Sequence, residues 1–285
     1  MDLNHLQGIP MKTLLCTLVL AALGLFHSRA AMSDTLDDIQ KRGELIVGME
    51  IAYKPFEFFR DGQAVGFDVD MAQLIAKGLG VKLRTVDAAW AGIVPALLEK
   101  KFDVILSGMT ITGDRLKKVN FSQPVALGSV VFLARMNDGK INRAEDLSGK
   151  VVATQLGSVG DRVARQFEAR LKDSGKPGYS AFKLYDGFAE TYLELGLGRI
   201  DAVSGALPVF QSVIAERPGR YKIIDGIQDI ESYLGMALRK GDDRLLKAID
   251  EQITALKRSG QLLQLQIKWF GAAQQVPDAI PAQLP

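Results

Sequence analysis

The sequence predicts an α/β fold, on three observations. Apolar, β-branched runs alternate with amphipathic helical segments through almost all of residues 44–269, the pattern of βα units that build largely parallel sheets. The chain has 285 residues, 47% of them hydrophobic and 24% charged, an ordinary globular composition with room for one large domain or two smaller ones. It also echoes itself. IVPALLEKKFDVILSG (93–108) and TYLELGLGRIDAVSG (191–205) each run through a helix, a basic residue, an apolar residue, Asp, and a short strand ending in Ser-Gly. Any two βα units share some of this outline, but the echo fits two similar lobes.

The elements follow in order. Met11-Lys12, the apolar stretch TLLCTLVLAALGLF and then HSRAA have the three parts of a secretory signal peptide. Ser28 and Ala30 satisfy the small-residue rule, placing the cut after Ala30; initiation at Met11 would serve export equally well. The apolar run is shorter than the roughly 20 residues of a spanning helix, and Leu15 before Cys16 argues against lipid attachment. ELIVGME (44–50) and VKLRTV (81–86) read as strands around a helix at 69–80, with Asp68 placed to cap it and Gly80 to end it. A helix at 93–100, a buried strand at 102–108 and a long apolar strand at 125–135 follow. Strands at 150–155, 182–186, 200–205 and 221–225 then alternate with helices at about 160–173, 188–197 and 207–217. A last strand (234–240) and two helices (about 242–258 and 260–269) precede a tail, 272–285, rich in Pro, Ala and Gln and read as an irregular wrap.

Loss of residues 1–30 would take His5, His27 and Cys16 with it. The remaining chain would have no His and no Cys, which excludes disulfides, the usual zinc sites, cysteine nucleophiles and Ser-His-Asp triads. It would hold 33 bases and 32 acids, interspersed, with nothing like a basic stripe for nucleic acid. No GxxxxGK[ST] or GxGxxG pattern marks a nucleotide site. No cofactor is expected.

The stretch SGMTITGDR (107–115) carries three hydroxyls (Ser107, Thr110, Thr112), two glycines and one guanidinium, Arg115. That set suits capture of an anion, although an arginine after a turn is by default solvated. Ser107-Gly108 and Ser204-Gly205 end buried strands, and the carboxyl ends of strands form the ligand crevice of open α/β sheets.

Taken together, GFDVDMAQLIAKGLG (66–80), AYKPFEF (52–58), WAGIVPALLEKKFDVILSGMTITGDR (90–115), VNFSQP (119–124), Gly157-Ser158, LGRIDAV (197–203) and IKWFG (267–271) resemble, in order and spacing, the bacterial extracellular solute-binding proteins of family 3. Those are the polar-amino-acid receptors of ABC importers. The resemblance implies two Rossmann-like α/β lobes joined by two crossover strands, a periplasmic binding protein-like clamp that closes on its ligand. It divides the chain into a signal peptide (1–30), a first lobe (31–134), a second lobe (135–231), and a return to the first lobe with the tail (232–285).

The resemblance also implies site roles. Arg115 would grip an α-carboxylate through two parallel bonds. Ser107, Gly108 and Thr110 would lie beside it, and the backbone amides of Ser158 and Val159 would meet the same group from a helix N-terminus. Tyr53 and Trp90 would flank the ligand; Trp90 is otherwise a core residue starting a helix. Glu50 would face the ligand's side chain, or else face water at a strand end. One departure stands out: relatives carry an ammonium-binding acid where this chain has Ala206, and a buried ammonium without an acceptor would cost several kcal/mol. The expected function is capture of a small carboxylate-bearing solute, an amino acid or derivative, for a membrane permease, by a periplasmic monomer without enzymatic activity. The alternatives are a dehydratase of the cyclohexadienyl or arogenate kind on the same fold, with Glu57, Glu190 or Glu231 as general acid, and a sensor subunit presenting ligand to a receptor kinase.

Overall fold

Two mixed five-stranded sheets organise the protein, seen in a computed structural model that describes residues 34–224 and 231–284. The signal-peptide reading, His5, His27, Cys16, the possible start at Met11 and Asp225 lie outside the described residues.

The helices are α1 (Thr35–Arg42), α2 (Phe67–Gly78), α3 (Ile93–Leu98), α4 (Gly113–Lys118), α5 (Val159–Asp173), α6 (Phe188–Gly196), α7 (Leu207–Glu216), α8 (Asp243–Arg258) and α9 (Gln261–Phe270). The strands are β1 (Glu44–Met49), β2 (Ala52–Tyr53), β3 (Glu57–Arg60), β4 (Gln63–Val65), β5 (Lys82–Asp87), β6 (Val104–Ile105), β7 (Val119–Phe121), β8 (Ala126–Gly128), β9 (Val130–Arg135), β10 (Val151–Gln155), β11 (Ala181–Tyr185), β12 (Ala202–Ala206), β13 (Tyr221–Ile224), β14 (Ser232–Leu234) and β15 (Ala237–Arg239).

The first sheet has the order β5-β1-β6-β15-β7 and the second β11-β10-β12-β9-β13. In each, the first three strands run parallel and a later strand enters antiparallel. The inner strands β1, β6, β15, β10, β12 and β9 are largely buried and read as apolar runs, whereas the edge strands β5 and β11 are part-exposed. Along β1, Leu45, Val47 and Met49 join the core beneath α2 and α8, while Ile46 packs with Ile93 and Leu97 of α3 on the opposite face.

The internal echo has a physical basis. Asp103 Oδ2 accepts the Ile46 amide of β1 at 2.8 Å and Arg42 Nη2 at 2.5 Å. Asp201 Oδ2 accepts the Val151 amide of β10 at 2.8 Å, and its Oδ1 accepts Arg135 Nη2 at 3.2 Å. In both lobes the amide of that aspartate donates back to the same neighbour, Ile46 or Val151. The Lys-Phe-Asp and Arg-Ile-Asp triplets are therefore the same two-point clamp on a neighbouring parallel strand, used once per sheet.

The lobes are joined by β8 and β14, which pair antiparallel with Gly128 opposite Ser232 and Ala126 opposite Leu234. Here two expectations need correction. The 125–135 run is not one strand but two, broken at Ser129: β8 belongs to the connection and β9 to the second sheet. The 234–240 run likewise breaks between Leu234 and Ala237. Both runs are largely apolar because both halves are buried, and only the exposed Ser129 marks the change of sheet in the first. A β2–β3–β4 meander, the short helices α1 and α4 and strand β7 were not expected. The tail does wrap: Gln274 Oε1 accepts the Leu127 amide at 2.8 Å, and Lys257 donates to the Pro277 carbonyl at 2.7 Å.

Asp68 does not cap α2. The helix starts at Phe67 with Gly66 at its cap position and no side-chain cap bond, while the Asp68 carboxylate is buried and accepts the Gly108 amide at 2.6 Å. Gly80 does end the helix, at φ 73°, where the Gly80 amide reaches the Lys77 carbonyl and the Val81 amide the Ala76 carbonyl, the two bonds of a Schellman turn.

Candidate functional site

At the carboxyl ends of the two sheets' strands, the lobes meet across a crevice. An inner cavity there, about 20 Å³ in volume, is lined by eight of the nine expected residues: Glu50, Tyr53, Trp90, Gly108, Thr110, Arg115, Ser158 and Val159. The ninth, Ser107, stands one layer behind. Its hydroxyl accepts the Glu50 amide at 3.0 Å and donates to Glu57 Oε1 at 2.6 Å, so it positions the strand ends and is not on the cavity wall.

Arg115 sits in the first turn of α4, where Thr112 Oγ1 accepts its amide at 3.3 Å. Its Nη1 donates to the Thr110 carbonyl at 2.8 Å, and its Nη2 reaches across the crevice to the Gly157 carbonyl at 3.3 Å. The guanidinium lies over the Trp90 ring, 5.1 Å from its centroid. No described carboxylate pairs with it. Burial lowers its pKa to about 10, helped by the nearby Arg162 and opposed by Tyr53, so the group stays cationic at neutral pH.

Opposite Arg115, the second lobe presents the start of α5. Ser158 Oγ caps this helix by accepting the Asp161 amide at 3.1 Å. The Ser158 amide, expected to meet the ligand, donates here to the Gln155 carbonyl at 3.2 Å. The Val159 and Gly160 amides, the first two of the helix, are the ones left facing the cavity without a described partner. Gly160 is tightly fitted: a Cβ would lie 2.7 Å from the Ser204 carbonyl oxygen. Gly108 likewise leaves no room, with φ 49° and Tyr53 Cε1 2.8 Å from where a Cβ would stand. Because its amide is held by Asp68, Gly108 offers its carbonyl.

Sequence reasoning missed Gln155, Phe188 and Gly160, whereas Gly205, expected at a crevice-forming strand end, does line the cavity. Gln155 ends β10, and its Nε2 donates to both Glu50 carboxylate oxygens at 2.7 and 3.0 Å and to the Asp186 carbonyl at 2.9 Å. Glu50 therefore faces neither water nor open cavity alone. Burial raises its pKa, with Gln155 opposing. Phe188, the first residue of α6, stacks on Tyr53 at 5.5 Å and 26°, and Tyr53 stacks on Phe56 at 5.5 Å and 18°, so one aromatic column crosses the crevice. The only sequence cue for these was position: both lie at strand–helix junctions, as Glu50 and Ser107 do. At the outer edge, Lys54 pairs with Glu216 at 2.5 Å.

The three acids considered for dehydratase chemistry do not line the inner cavity. Glu190 and Glu231 are exposed, Glu231 accepting the Tyr233 hydroxyl at 2.5 Å. Glu57 is fully buried behind Ser107: its Oε1 accepts the Ser107 hydroxyl, and its Oε2 is buried without a hydrogen-bond partner among the described residues. Burial pushes the Glu57 carboxyl well up, with the Asp68 charge adding to it, and raises Asp68 to about 6 despite the Gly108 amide. Burial thus favours the protonated form of Glu57.

A carboxyl with a raised native pKa binds more protons folded than unfolded. The dyad's contribution to stability therefore falls as pH rises from the unfolded carboxylate value, near 4.3, towards the native one. Glu57→Gln keeps an acceptor for Ser107 and has no titrating proton. Urea unfolding at about pH 4.5 and about pH 7.5 should show the variant gaining on wild type at the higher pH, by up to about 1.4 kcal/mol per pH unit while the proton is retained. A stability difference independent of pH would contradict the upward shift of Glu57.

With this geometry in place, the chain can be set beside known proteins. Residues 45–272 match the family described as bacterial extracellular solute-binding proteins, family 3. The chain is similar to the L-cystine-binding protein TcyJ of Escherichia coli (strain K12), 32% identical over 274 residues that cover 95% of this chain and 98% of the relative. It is also similar to the arginine-binding extracellular protein ArtP of Bacillus subtilis (strain 168), 29% identical over 91% of this chain and 98% of that one. Among solved structures, the ancestral amino acid-binding protein AncCDT-1, a precursor of cyclohexadienyl dehydratase, matches with a TM-score of 0.74 and 37% identity, covering 84% of this chain and all of that one.

Proposed function

The chain belongs to the bacterial extracellular solute-binding proteins of family 3, and from that premise we propose that it captures an amino acid or close derivative by its carboxylate and delivers it to the membrane permease of an ABC importer. The observation that carries this reading is Arg115: a cationic guanidinium in the interlobe crevice, braced by two backbone carbonyls and Trp90, beside the start of a 15-residue helix and without a carboxylate partner among the described residues.

A ligand carboxylate between Arg115 and the Val159 and Gly160 amides would receive charge-assisted bonds from both lobes, about 1.5–3 kcal/mol net for each bond. Since both lobes would contribute, ligand would favour the closed arrangement, which a permease can tell from an open one. The crevice must open to admit a solute, because an inner cavity of about 20 Å³ holds little more than one water. We place the hinge at Ser129 and its partner strand near 231, with the first lobe at 34–128 and 232–284. Thr110, the Gly108 carbonyl, Tyr53 and Trp90 complete the inner wall; Glu50, held by Gln155, faces the remaining ligand groups. Ala206 lines the cavity at the position where the family resemblance implies an acid, so the ligand's amino end would rest on Glu50 or be absent. Relatives of this family are named for cystine and arginine binding, and such ligands fit the reading. Action as a monomer outside the cytoplasmic membrane, in the periplasm, follows from the same role.

A thermal-shift screen of the purified protein against the amino acids and their deaminated counterparts tests the proposal. A ligand at about 100 times its Kd stabilises by about 2.7 kcal/mol, which for a chain of this size raises the melting temperature by roughly 5–11 °C. At least one carboxylate solute should do so; no shift with any of them would overturn the reading.

A further inference from the structure

A second cavity adjoins the first. It measures about 690 Å³ and shares Trp90, Arg115, Ser158 and Val159 with the inner one, then opens outwards past α3 and α5. Its volume is in the range of a small-molecule site, whereas the inner cavity is not.

One wall is apolar: Trp90, Pro95, Leu98 and Leu156, of which the two leucines are 49% and 42% exposed. The other wall carries Arg162, in the first turn and a half of α5. Its Nη2 is buried and has no hydrogen-bond partner among the described residues. A cation so near a helix N-terminus also works against the helix dipole. Arg115 and Arg162 line the same outer cavity, and the Arg162 charge bears on Arg115. The acids at the rim do not neutralise the pair through contact: Asp114 is bound by Lys117 at 2.8 Å, and Asp161 by Arg165 at 2.7 Å. A guanidinium nitrogen buried without a partner, in a cavity that holds a second guanidinium, is costly unless something anionic joins them. Where a chain breaks a local rule this way, a functional group is the expected reason.

We infer that the solute has two anionic ends, one carboxylate at Arg115 in the inner cavity and a second at Arg162 in the outer one, with an aliphatic body along Trp90, Pro95, Leu98 and Leu156. The protein's preferred class is then the dicarboxylic amino acids or their derivatives. This rests on the carboxylate-capture reading above and narrows it. It also gives the Ala206 departure a counterpart: the crevice is rich in cations and poor in free acids, so a solute's anionic groups matter more to it than its ammonium.

Calorimetric titration with matched pairs tests it. L-glutamate, L-2-aminoadipate and L-2-aminopimelate are each compared with the monocarboxylate of equal length, L-norvaline, L-norleucine and L-2-aminoheptanoate. Wild type should bind at least one diacid at least tenfold more tightly than its monoacid. Arg162→Gln should erase that preference while leaving the monoacid's affinity in place, and Arg162→Lys should keep part of it. Arg115→Ala should lose both members of the pair. A wild type without preference for any diacid, or a preference that survives Arg162→Gln, overturns the assignment. Should none of the six bind while another amino acid shifts the melting temperature, the second anionic end is wrong and the receptor reading stands. Should no carboxylate solute bind at all, both fall.

Discussion

Replacing Arg115 with alanine is expected to abolish ligand binding and to leave the protein folded. The two halves of this expectation have separate grounds. Within the protein, the side chain makes two hydrogen bonds to backbone carbonyls, of Thr110 and Gly157, and lies against one face of Trp90. It holds no buried carboxylate, so its removal strands no charge, and the loss of stability should stay near 1 kcal/mol. Towards a ligand, the same group supplies the fixed charge for a carboxylate. Two charge-assisted bonds at about 1.5–3 kcal/mol each amount to a loss of roughly a hundredfold to ten-thousandfold in affinity. Arg115→Lys should recover only a fraction, because an ammonium cannot offer the parallel pair of donors. Circular dichroism and calorimetry on the same sample check both halves. Wild-type affinity in a folded Arg115→Ala would place the carboxylate elsewhere.

The substitution expected to damage stability most is Gly66→Ala. Gly66 precedes α2 with φ 142°, a conformation that disfavours any side chain. Its Cβ would lie 2.0 Å from the Phe56 carbonyl oxygen, 2.5 Å from the Phe56 carbonyl carbon and 2.9 Å from Glu57 Cα. All three are backbone atoms, which cannot swing aside as a long side chain could. The Phe67 and Asp68 amides donate to the Pro55 and Phe56 carbonyls at 3.0 and 2.9 Å, so relieving the clash would pull apart the helix start and the loop that carries Tyr53. Strain and overpacking together should cost about 3 kcal/mol or more, a drop in melting temperature of roughly 6–12 °C. Because Asp68 carries Gly108, ligand affinity should fall as well. A melting temperature within about 1 °C of wild type would refute the close approach.

How much of this was legible in the sequence depended on whether a residue's job left a local pattern. The α/β alternation did, since strands buried on both faces and amphipathic helices have different periods. The echo did too, because Asp103 and Asp201 perform one task at equivalent places in two sheets. The distant stretches that carried the family resemblance are in contact: Trp269 Nε1 and Lys268 Nζ both donate to Asp70, and Phe270 packs on Phe67 and Phe56 at 4.7 and 5.3 Å. Their joint appearance is thus a packing requirement spanning some 200 residues of chain.

What stayed hidden was whatever depends on tertiary context. Asp68 sits where a cap residue would, and only the approach of Gly108 and Glu57 makes it a buried anchor. An apolar run does not disclose that it changes sheets at Ser129. Gln155 looks like any polar residue at a strand end until Glu50 arrives from the other lobe. Arg162 has a similar history: on a helix read by itself it is a solvated cation, and only the packing around it buries Nη2.

The most direct test of the account compares an amino acid with the amine left when its carboxylate is removed. The amino acid giving the largest thermal shift and its decarboxylated counterpart keep the same side chain and nitrogen, and differ in the one group assigned to Arg115 and the start of α5. Calorimetric titration of wild type should give a clear isotherm for the amino acid and no measurable binding for the amine. An amine that binds within a few-fold of its parent would show that the crevice does not hold its guest by a carboxylate.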